Sequence, residues 1–283
     1  MRVLITGARG LLGAAIAESL QPHADVQTMD HGGLDITDSE AVAAAADRVG
    51  PDVIVNCAAY NDVDGAEDQP ETAVRVNAFG PLTLARAARV AGAAFVHYSS
   101  DFVFDGEAAA PYGEDDPPNP RSVYGSSKLL GDWFAADAPR HYVLRVESLF
   151  GGPGTHQGAR RGSLGTIVDR IRAGEEVPVF VDRTVSPSYT PDIARATWQL
   201  LAQEAPAGVY HCVNSGAATW AAIAEEVARL MGRPLKIRPL TLETASLKAP
   251  RPRYCALSNA RLASIGIRMP SWQDALARYL KEP

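Results

Sequence analysis

A chain of 283 residues, 46% of them hydrophobic and 21% charged, is long enough to bury a sizeable core and too apolar to be disordered. Its 27 basic and 33 acidic residues give a net charge of −6, which argues against nucleic acid as the main partner. The chain opens as a β-strand rather than a targeting signal, and no apolar run approaches the roughly 18 residues that span a bilayer. We therefore expect a cytoplasmic protein with no membrane or nucleic-acid partner. Cys57, Cys212 and Cys255 are scattered without a CxxC pair, which indicates neither a zinc site nor a disulfide framework.

The first half of the chain alternates short β-branched runs with alanine- and leucine-rich segments of helical period, which is typical of βαβ units. Strands are predicted at 2–6, 25–29, 52–56, 93–99 and 141–147. Helices are predicted near 11–20, 38–48, 70–91 and 122–136, the third of them kinked at Pro81. The runs "VLI" and "VIV" are apolar without alternation, so both faces of the sheet should be buried, as in a doubly wound fold.

The amino-acid composition changes after residue 150, where the glycine- and arginine-rich segment "GGPGTHQGARRGS" begins. A helix near 163–173 and a short strand, "VPVFV", are predicted next. Thr190 is expected to cap a helix in "TPDIARATWQLLAQ". The segment "GVYHCV" then reads as a late strand, and "ATWAAIAEEVARLMG" as a helix that ends at Gly232.

This change in composition divides the chain into a sheet domain and a smaller C-terminal region. We expect an α/β fold with a Rossmann-like, doubly wound parallel sheet in residues 1–150. Part of 188–213 is expected to pack back onto this sheet. Residues 151–187 and 214–283 are then expected to form a smaller subdomain that binds the substrate.

The stretch "ITGARGLLGAAI" places Gly7, Gly10 and Gly13 between the first strand and the first helix. Glycine permits the tight turn, lets a pyrophosphate approach the backbone and allows the helix to pack closely on the strand. Asp30 follows the second strand, where a carboxylate holds the ribose hydroxyls of a dinucleotide. Together these residues indicate that residues 1–150 bind NAD(P).

Two residues give opposite indications about which dinucleotide binds. Asp30 would repel the 2′-phosphate of NADPH, whereas Arg9 in the glycine loop would attract it. NADPH and NADH therefore both stay possible.

A tyrosine and a lysine, Tyr124 and Lys128, stand one helical turn apart in "SVYGSSK". A neighbouring ammonium is expected to lower the pKa of the tyrosine from about 10, so that the phenol can protonate an alkoxide formed from a carbonyl. Ser100 ends the fourth strand, at the edge where parallel sheets bind ligands, and its hydroxyl can hydrogen-bond a substrate carbonyl. These three residues predict a site for carbonyl reduction.

Taken in order, the motifs resemble the extended short-chain dehydrogenase/reductases, and within them the dTDP-4-dehydrorhamnose reductase family. The resemblance runs from residue 1 to the C-terminus and includes "NCAAYNDVDGAE", "YSSDFVFDG", "VYGSSK", "SPSYTPDIA" and "RP…ALSNARL". It implies NAD(P)H-dependent reduction of the C4 ketone of a dTDP-linked 4-keto-6-deoxyhexose, namely dTDP-4-dehydro-L-rhamnose, to dTDP-L-rhamnose. The implied partner is therefore a dTDP-linked keto-deoxysugar.

The resemblance also implies roles for individual residues. The implied catalytic residues are Ser100, Tyr124 and Lys128. The residues implied for cofactor binding are Gly7, Gly10, Leu11, Leu12, Gly13, Asp30, Asp35, Ile36, Ala58, Ala59, Tyr60, Tyr124 and Lys128. The residues implied for substrate binding are Ser100, Asp101, Ser148 and Arg251. Arg251 is expected to hold the nucleotide diphosphate, with Arg160 or Arg161 as additional candidates.

Some properties vary within the family or depart from its pattern in this chain. Oligomeric state and a subunit-bridging Mg²⁺ differ among members, so a monomer, a homodimer and Mg²⁺ all stay possible, and no metal ligand is predicted. Ser148 stands where the family carries a tryptophan against the deoxysugar, and Cys255 and Ser258 replace family residues in "RPRYCALS". Ser100 stands in for a threonine and keeps the hydroxyl. Catalysis should survive these changes, whereas the preferred sugar stays open.

Several alternatives stay open beside this reductase, the nearest being another nucleotide-sugar 4-ketoreductase. A sugar-nucleotide dehydratase needs a carboxylate pair after the hydroxyl residue, but Phe102 follows Asp101 and removes the expected glutamate. A nucleotide-sugar epimerase would keep NAD tightly bound. A non-catalytic NADP-binding regulatory subunit, similar to the regulatory beta subunit of methionine adenosyltransferase, is a further alternative, against which the intact Tyr124–Lys128 pair argues.

Overall fold

A six-stranded parallel sheet lies at the centre of the computed structural model, which describes residues 1–151 and 162–281. The strands are β1 (Arg2–Thr6), β2 (Asp25–Met29), β3 (Val53–Asn56), β4 (Ala94–Ser100), β5 (His141–Val146), β6 (Leu149–Phe150), β7 (Val177–Phe180), β8 (Thr184–Val185), β9 (Ser188–Tyr189), β10 (Gly208–His211), β11 (Ala218–Thr219) and β12 (Ile237–Leu240). The helices are α1 (Leu11–Leu20), α2 (Ser39–Val49), α3 (Val63–Asp68), α4 (Pro70–Val74), α5 (Gly80–Ala91), α6 (Val123–Ala135), α7 (Ser163–Ala173), α8 (Thr190–Ala202), α9 (Trp220–Met231), α10 (Ala260–Ser264) and α11 (Trp272–Tyr279).

The central sheet has the strand order β10-β5-β4-β3-β1-β2, and each neighbouring pair is parallel. From β1 the chain moves outwards to β2 on one side and then to β3 on the other, so the order reverses between β1 and β3. Loops on the two sides of such a switch point diverge and leave a crevice at the carboxyl ends of the strands. The topology confirms the predicted doubly wound sheet and puts that crevice beside the loop after β1.

Both faces of the sheet are covered, because residues that alternate along a strand point to opposite faces. Val3 and Ile5 pack in one core with residues of α1 and α8, whereas Leu4 packs in another with residues of α2 and α5. Ile54 and Val55 of the neighbouring strand divide between the same two cores and are fully buried. The expectation that these apolar runs lie in the interior is confirmed.

A separate hydrophobic core lies among α7, α9 and α11 in the C-terminal part of the chain, where it joins Ile171, Val227 and Leu276. The small sheets β7–β12, β8–β11 and β6–β9 belong to this part or connect it to β5. By contrast, α8 and β10 contribute Ile193 and Tyr210 to the core of the central sheet. The substrate-binding role of the second region stays a prediction.

The helix predicted at 70–91 with a kink at Pro81 is instead interrupted before that proline. A π-helical turn, Arg75–Phe79, separates α4 from α5. Pro81 therefore lies in the first turn of α5, where a proline is tolerated because that position has no helical partner for an N–H. The π turn carries Asn77, which is buried and faces α6. The interruption thus shapes the neighbourhood of the predicted catalytic helix.

The predicted cap at Thr190 is also wrong. Its hydroxyl donates to the Gly151 carbonyl, and Tyr189 is the residue that precedes the first turn of α8. The predicted end of the late helix at Gly232 is confirmed, since that residue follows α9 with φ of 60°. Among the described residues, the structure has no helix that is long and apolar enough to cross a membrane.

Candidate active site

A cleft of about 290 Å³ opens at the carboxyl ends of β4 and β5, beside the loop that follows β1. The predicted site residues that line it are Gly10, Leu11, Leu12, Gly13, Ala59, Ser100, Asp101, Tyr124, Lys128 and Ser148. The structure therefore brings the glycine loop, the corner after β4 and the start of α6 around one cavity. This is the edge at which open parallel sheets bind ligands.

The glycine loop has the shape that a dinucleotide needs. Gly7 has φ of +69°, and a Cβ there would lie 2.5 Å from the Ala58 nitrogen; a Cβ on Gly13 would lie 2.4 Å from the Gly7 oxygen. Gly10 precedes α1 and offers no capping side chain, and the first turn of the helix carries no acidic residue. The first N–H groups of α1 can thus bind an anion such as a pyrophosphate. Gly7 supports this loop from behind rather than lining the cleft.

Arg9 and Asp30, which gave opposite indications about the cofactor, bind each other in this structure. Arg9 Nε lies 2.6 Å from Asp30 Oδ2, with the arginine side chain 88% exposed. The other carboxylate oxygen of Asp30 accepts the Gly33 N–H at 2.9 Å. The two residues therefore form one ion pair at the glycine loop. From there, Asp30 can bind ribose hydroxyls and Arg9 can bind a ribose phosphate.

Asp35 and Ile36 lie between β2 and α2, outside the lining of the cleft. The Asp35 carboxylate accepts hydrogen bonds from the amide and the hydroxyl of Thr37 at 2.9 and 2.8 Å, and these lower the pKa of Asp35. Ile36 is buried and packs in the same core as Val42 of α2. Their contact with an adenine stays a prediction.

Two buried asparagines hold the turn after β3. Asn56 Oδ1 accepts the Ala58 N–H at 3.1 Å. Asn77 Oδ1 accepts the Tyr60 N–H at 2.8 Å, and its Nδ2 donates to the Tyr60 carbonyl at 3.0 Å. Asn77 Nδ2 also donates to Ser127 Oγ at 3.0 Å, which ties this turn to α6. The predicted cofactor roles of Ala58 and Tyr60 are untested, but their backbone is fixed relative to the catalytic helix.

Three predicted catalytic residues share the centre of the cleft and are almost completely buried. Lys128 Nζ donates to the Tyr98 carbonyl at 2.6 Å. Ser100 Oγ donates to Asp101 Oδ1 at 2.9 Å and lines the same cleft as Tyr124. The hydroxyl of Ser100 thus lies between the cleft that Tyr124 lines and a buried carboxyl group.

Burial dominates the electrostatics of the Tyr124–Lys128 pair. The pKa of Tyr124 is raised, first by burial and then by the Asp101 carboxylate, while the hydrogen bond with Ser100 lowers it. Burial lowers the pKa of Lys128 to about 8, and the Asp132 carboxylate acts in the opposite direction. The prediction of a lowered tyrosine pKa is therefore wrong for this structure, because desolvation of a phenolate exceeds the effect of nearby charge. The phenol is protonated at neutral pH, as a proton donor must be.

Arg251, which the sequence predicts as the diphosphate ligand, lies next to the cleft rather than in its lining. Arg251 Nη2 pairs with Asp64 Oδ1 at 3.0 Å. Its guanidinium carbon is 5.8 Å from the ring centre of Phe102, which in turn meets the Tyr124 ring edge-on at 5.4 Å. Arg251 also lines a second, more open groove of about 640 Å³ that includes Arg253. It is thus one aromatic ring away from the predicted proton donor.

Comparison with known proteins assigns this architecture to one family. The family model described as RmlD substrate binding domain matches residues 1–283. The dTDP-4-dehydrorhamnose reductase of Streptomyces griseus is 38% identical over 285 residues, covering 97% of this chain and 91% of that relative. The chain belongs to the dTDP-4-dehydrorhamnose reductase family.

Two further similarities agree with this membership. A probable dTDP-4,6-dihydroxy-2-methyloxan-3-one 4-ketoreductase of Streptomyces antibioticus is 37% identical over 281 residues, covering 98% of this chain and 93% of that protein. The solved structure of dTDP-4-dehydrorhamnose reductase from Bacillus anthracis in complex with NADP has a TM-score of 0.93 and 31% identity, covering 100% and 99% of the two chains. The likeness to this family therefore extends over the whole length of the chain.

Sequence reasoning missed Glu147 in this family member. Glu147 lines the cleft at the end of β5, is 2% exposed and accepts the Ser186 N–H on Oε2 at 2.5 Å. A charged residue at the end of the apolar run "HYVLRVE" is the sequence feature that indicates it. Ser148 itself has φ of +46°, in the left-handed region that non-glycine residues rarely occupy. Arg160 and Arg161, the additional diphosphate candidates, lie outside the described residues.

Asp132 was also missed, although it continues the four-residue spacing of Tyr124 and Lys128 along α6. It is 5% exposed, and its Oδ2 accepts Arg145 Nε at 3.1 Å. Its carboxylate favours the charged form of Lys128. The helical period of the motif, extended by one turn, would have indicated this residue.

Asp132→Asn is expected to lower the pKa of Lys128 below about 8, because the variant removes the carboxylate that stabilises the buried ammonium. NMR titration of protein labelled with ¹³C at lysine Cε measures this pKa directly, and Lys128→Arg assigns the signal among the four lysines. Asp137→Asn is the matched control, since Asp137 pairs with Arg89 away from the cleft. A lysine pKa that is unchanged or raised in Asp132→Asn would contradict this account.

Proposed function

We propose that this protein reduces the C4 ketone of a dTDP-linked 4-keto-6-deoxyhexose with a nicotinamide cofactor, converting dTDP-4-dehydro-L-rhamnose to dTDP-L-rhamnose. The observation that carries the proposal is the convergence of Ser100, Tyr124 and Lys128 on the cleft that the glycine loop also lines. Family membership supports the substrate class, since the Streptomyces griseus relative is a dTDP-4-dehydrorhamnose reductase. The protein is an oxidoreductase of this family.

In the proposed reaction, Ser100 hydrogen-bonds the ketone oxygen and Tyr124 protonates that oxygen as it becomes an alkoxide. When bound, the nicotinamide supplies the hydride that the ketone carbon accepts. The raised pKa of Tyr124 keeps its proton in place until a strongly basic alkoxide forms. The ammonium of Lys128, which is buried in the same cleft, then stabilises the phenolate that remains.

NADPH is the cofactor that we propose as preferred. The first turn of α1 fits the pyrophosphate, and the exposed Arg9 side chain can leave Asp30 for a 2′-phosphate at little cost, because exposed ion pairs are weak. The NADP complex of the Bacillus anthracis relative supports this choice. NADH stays possible, since Asp30 can accept hydrogen bonds from unphosphorylated ribose.

The nucleotide part of the substrate is proposed to approach Arg251, with its diphosphate replacing the Asp64 carboxylate on the guanidinium. Residues 1–150 would then bind the cofactor, and residues 151–187 and 214–283 would supply the substrate side. Ser148 leaves the sugar without the aromatic contact expected of the family. A different dTDP-linked keto-sugar is the second candidate substrate, and the similarity to the probable 4-ketoreductase of Streptomyces antibioticus favours it.

Tyr124→Phe is expected to reduce turnover by roughly a hundredfold or more, because it removes the proton donor and leaves the ring in place. NADPH oxidation is measured with dTDP-4-dehydro-L-rhamnose made in situ, and cofactor binding is measured separately by fluorescence. Tyr142→Phe is the matched control, since the hydroxyl of Tyr142 donates to the Ala205 carbonyl on the far side of the sheet. Turnover that persists in Tyr124→Phe would overturn the proposed role, and a wild-type protein that reduces no keto-sugar would overturn the proposed function.

Arg9→Ala is expected to raise the KM for NADPH about tenfold relative to that for NADH, because the variant removes the cation beside the 2′-phosphate and frees the Asp30 carboxylate. Steady-state rates with each cofactor give the ratio. Arg233→Ala, at an exposed position after α9, serves as the control for loss of one surface charge. An unchanged ratio would show that Arg9 is a solvated loop residue.

A further inference from the structure

Two buried carboxyl groups, Asp101 and Glu147, lie together directly behind Ser100. They are 3% and 2% exposed, and together with the Cys255 sulfur their polar atoms lie within 4.8 Å of one another. The pairing of β4 with β5 explains the proximity, because Ser100 stands opposite Val146 and the next residue of each strand leaves the sheet on the same side. Strand pairing thus brings Glu147, 46 positions later in the chain, beside Asp101.

Each carboxyl group has one oxygen engaged and one oxygen without a partner. Asp101 Oδ1 accepts Ser100 Oγ, and Glu147 Oε2 accepts the Ser186 N–H. Asp101 Oδ2 and Glu147 Oε1 are buried and have no hydrogen-bond partner within the protein. Two buried carboxyl groups this close to each other are stabilised when one proton is shared between them, either directly or across one water molecule.

The charges around the pair call for one proton. Among the described residues, Arg183 is the cation that acts on both carboxyl groups, with Nη2 at 3.9 Å from Asp101 Oδ2. Two ionised carboxylates and one guanidinium would leave a net negative charge in the interior, whereas one retained proton makes the group neutral. Burial raises the pKa of Asp101 and of Glu147, and the Asp101 charge raises that of Glu147 further.

Within residues 1–151 and 162–281, the other titratable groups that act on the pair do not supply a compensating charge. Burial raises the pKa of the Cys255 thiol well above its usual value, so the thiol is neutral, and Arg183 Nη2 contacts its sulfur at 3.5 Å. The pKa of Tyr254 is raised by burial and by Glu147, and that of Tyr124 by burial and by Asp101. Both phenols are therefore neutral as well.

We propose that Asp101 and Glu147 share one proton and return a proton to Tyr124 through Ser100 after each reduction. This inference rests on the proposed function, since ketone reduction consumes one proton per turnover and Tyr124 donates it. The Ser100 hydroxyl then turns its O–H from Asp101 Oδ1 to the Tyr124 phenolate and gives up that proton. The shared proton passes to Ser100 Oγ once rotation of the Asp101 carboxyl brings its protonated oxygen to the serine side. The pair regains a proton from water in the cleft, which Glu147 lines. The overall balance is one hydride from the cofactor and one proton from solvent. Glu147 is a positioning residue in this scheme, because it acts through Asp101 and Ser100.

Glu147→Gln tests the proposal because glutamine keeps the size of the side chain and one oxygen for the Ser186 N–H but cannot hold the shared proton. The first turnover uses the proton already on Tyr124, so a burst of one NADPH per site should keep its wild-type rate within twofold. Later turnovers should slow at least tenfold, because the phenolate is reprotonated slowly. Rapid-mixing absorbance at the NADPH band measures both phases. Glu114→Gln is the matched control, since Glu114 also accepts a backbone N–H, from His211, but is only half-buried and lies outside the cleft lining.

Two outcomes of this experiment would overturn the proposal. A steady-state rate equal to that of wild type would show that Tyr124 is reprotonated by another route. A first turnover slowed as much as the later ones would show that Glu147 only positions substrate or fold.

Infrared spectroscopy tests whether the pair holds a proton, and it requires neither turnover nor a Glu147 variant that folds. Glu114→Gln and Asp132→Asn together remove two further carboxyl groups whose pKa is raised by burial. In this background at pH 7, the protein should keep a carbonyl band of a protonated, buried carboxyl group. Absence of that band would overturn the shared proton even if the reductase is active. Presence of the band in a protein that reduces no keto-sugar would uphold the shared proton, while the proposed function and the proton's return to Tyr124 would both fail.

Discussion

The parallel register of β4 and β5 is the constraint on which the site depends. Because Ser100 stands opposite Val146, the two strands release their next residues into the same corner of the cleft. Helix α6 packs against β4 and the 3₁₀ turn that follows it. Tyr124, in the first turn of α6, therefore lines the same cleft. A shift of one residue in this register would turn the corner residues to the opposite face of the sheet and separate the serine from the tyrosine.

Desolvation is the second physical theme of the site. The pKa of Tyr124 rises and that of Lys128 falls for the same reason, namely that burial disfavours whichever form is charged. Placing such groups in the interior is unfavourable, and the structure offsets it with hydrogen bonds to backbone carbonyls and with the buried Asp132–Arg145 pair. The cleft thus holds a neutral proton donor, Tyr124, near charged side chains that are paired with each other, as Asp132 is with Arg145.

Much of this arrangement could be predicted from the sequence, because the relevant patterns are local. The β1 turn, the buried strands and the start of α6 follow from glycine spacing, apolar runs and helical period, and the structure confirms their positions. Proximity between distant segments carries no local pattern. Glu147 reaches Asp101 only through strand pairing, and Arg183 joins them from the connection between β7 and β8.

The wrong predictions have equally physical causes. The segment 70–91 has a continuous apolar period, but a π turn interrupts it. Asn77 in that turn donates to Ser127 of α6, a contact between distant segments that no local pattern indicates. The pKa of Tyr124 was predicted from its neighbour four residues away, whereas the extent of burial is a property of the whole fold. Arg9 and Asp30 gave opposite indications of cofactor preference when each was considered alone. Their ion pair joins two loops that are distant in the sequence, so no local pattern indicates it.

The most direct test of the proposed function is to follow a label from the cofactor to the sugar. NADPH carrying deuterium at both C4 positions would be incubated with the protein and dTDP-4-dehydro-L-rhamnose, and the product examined by NMR and mass spectrometry. The account predicts one deuterium on C4 of the hexose in dTDP-L-rhamnose, with a solvent-derived proton on the new hydroxyl oxygen. A product without deuterium at that carbon, or a keto-sugar recovered unchanged beside unoxidised NADPH, would contradict it.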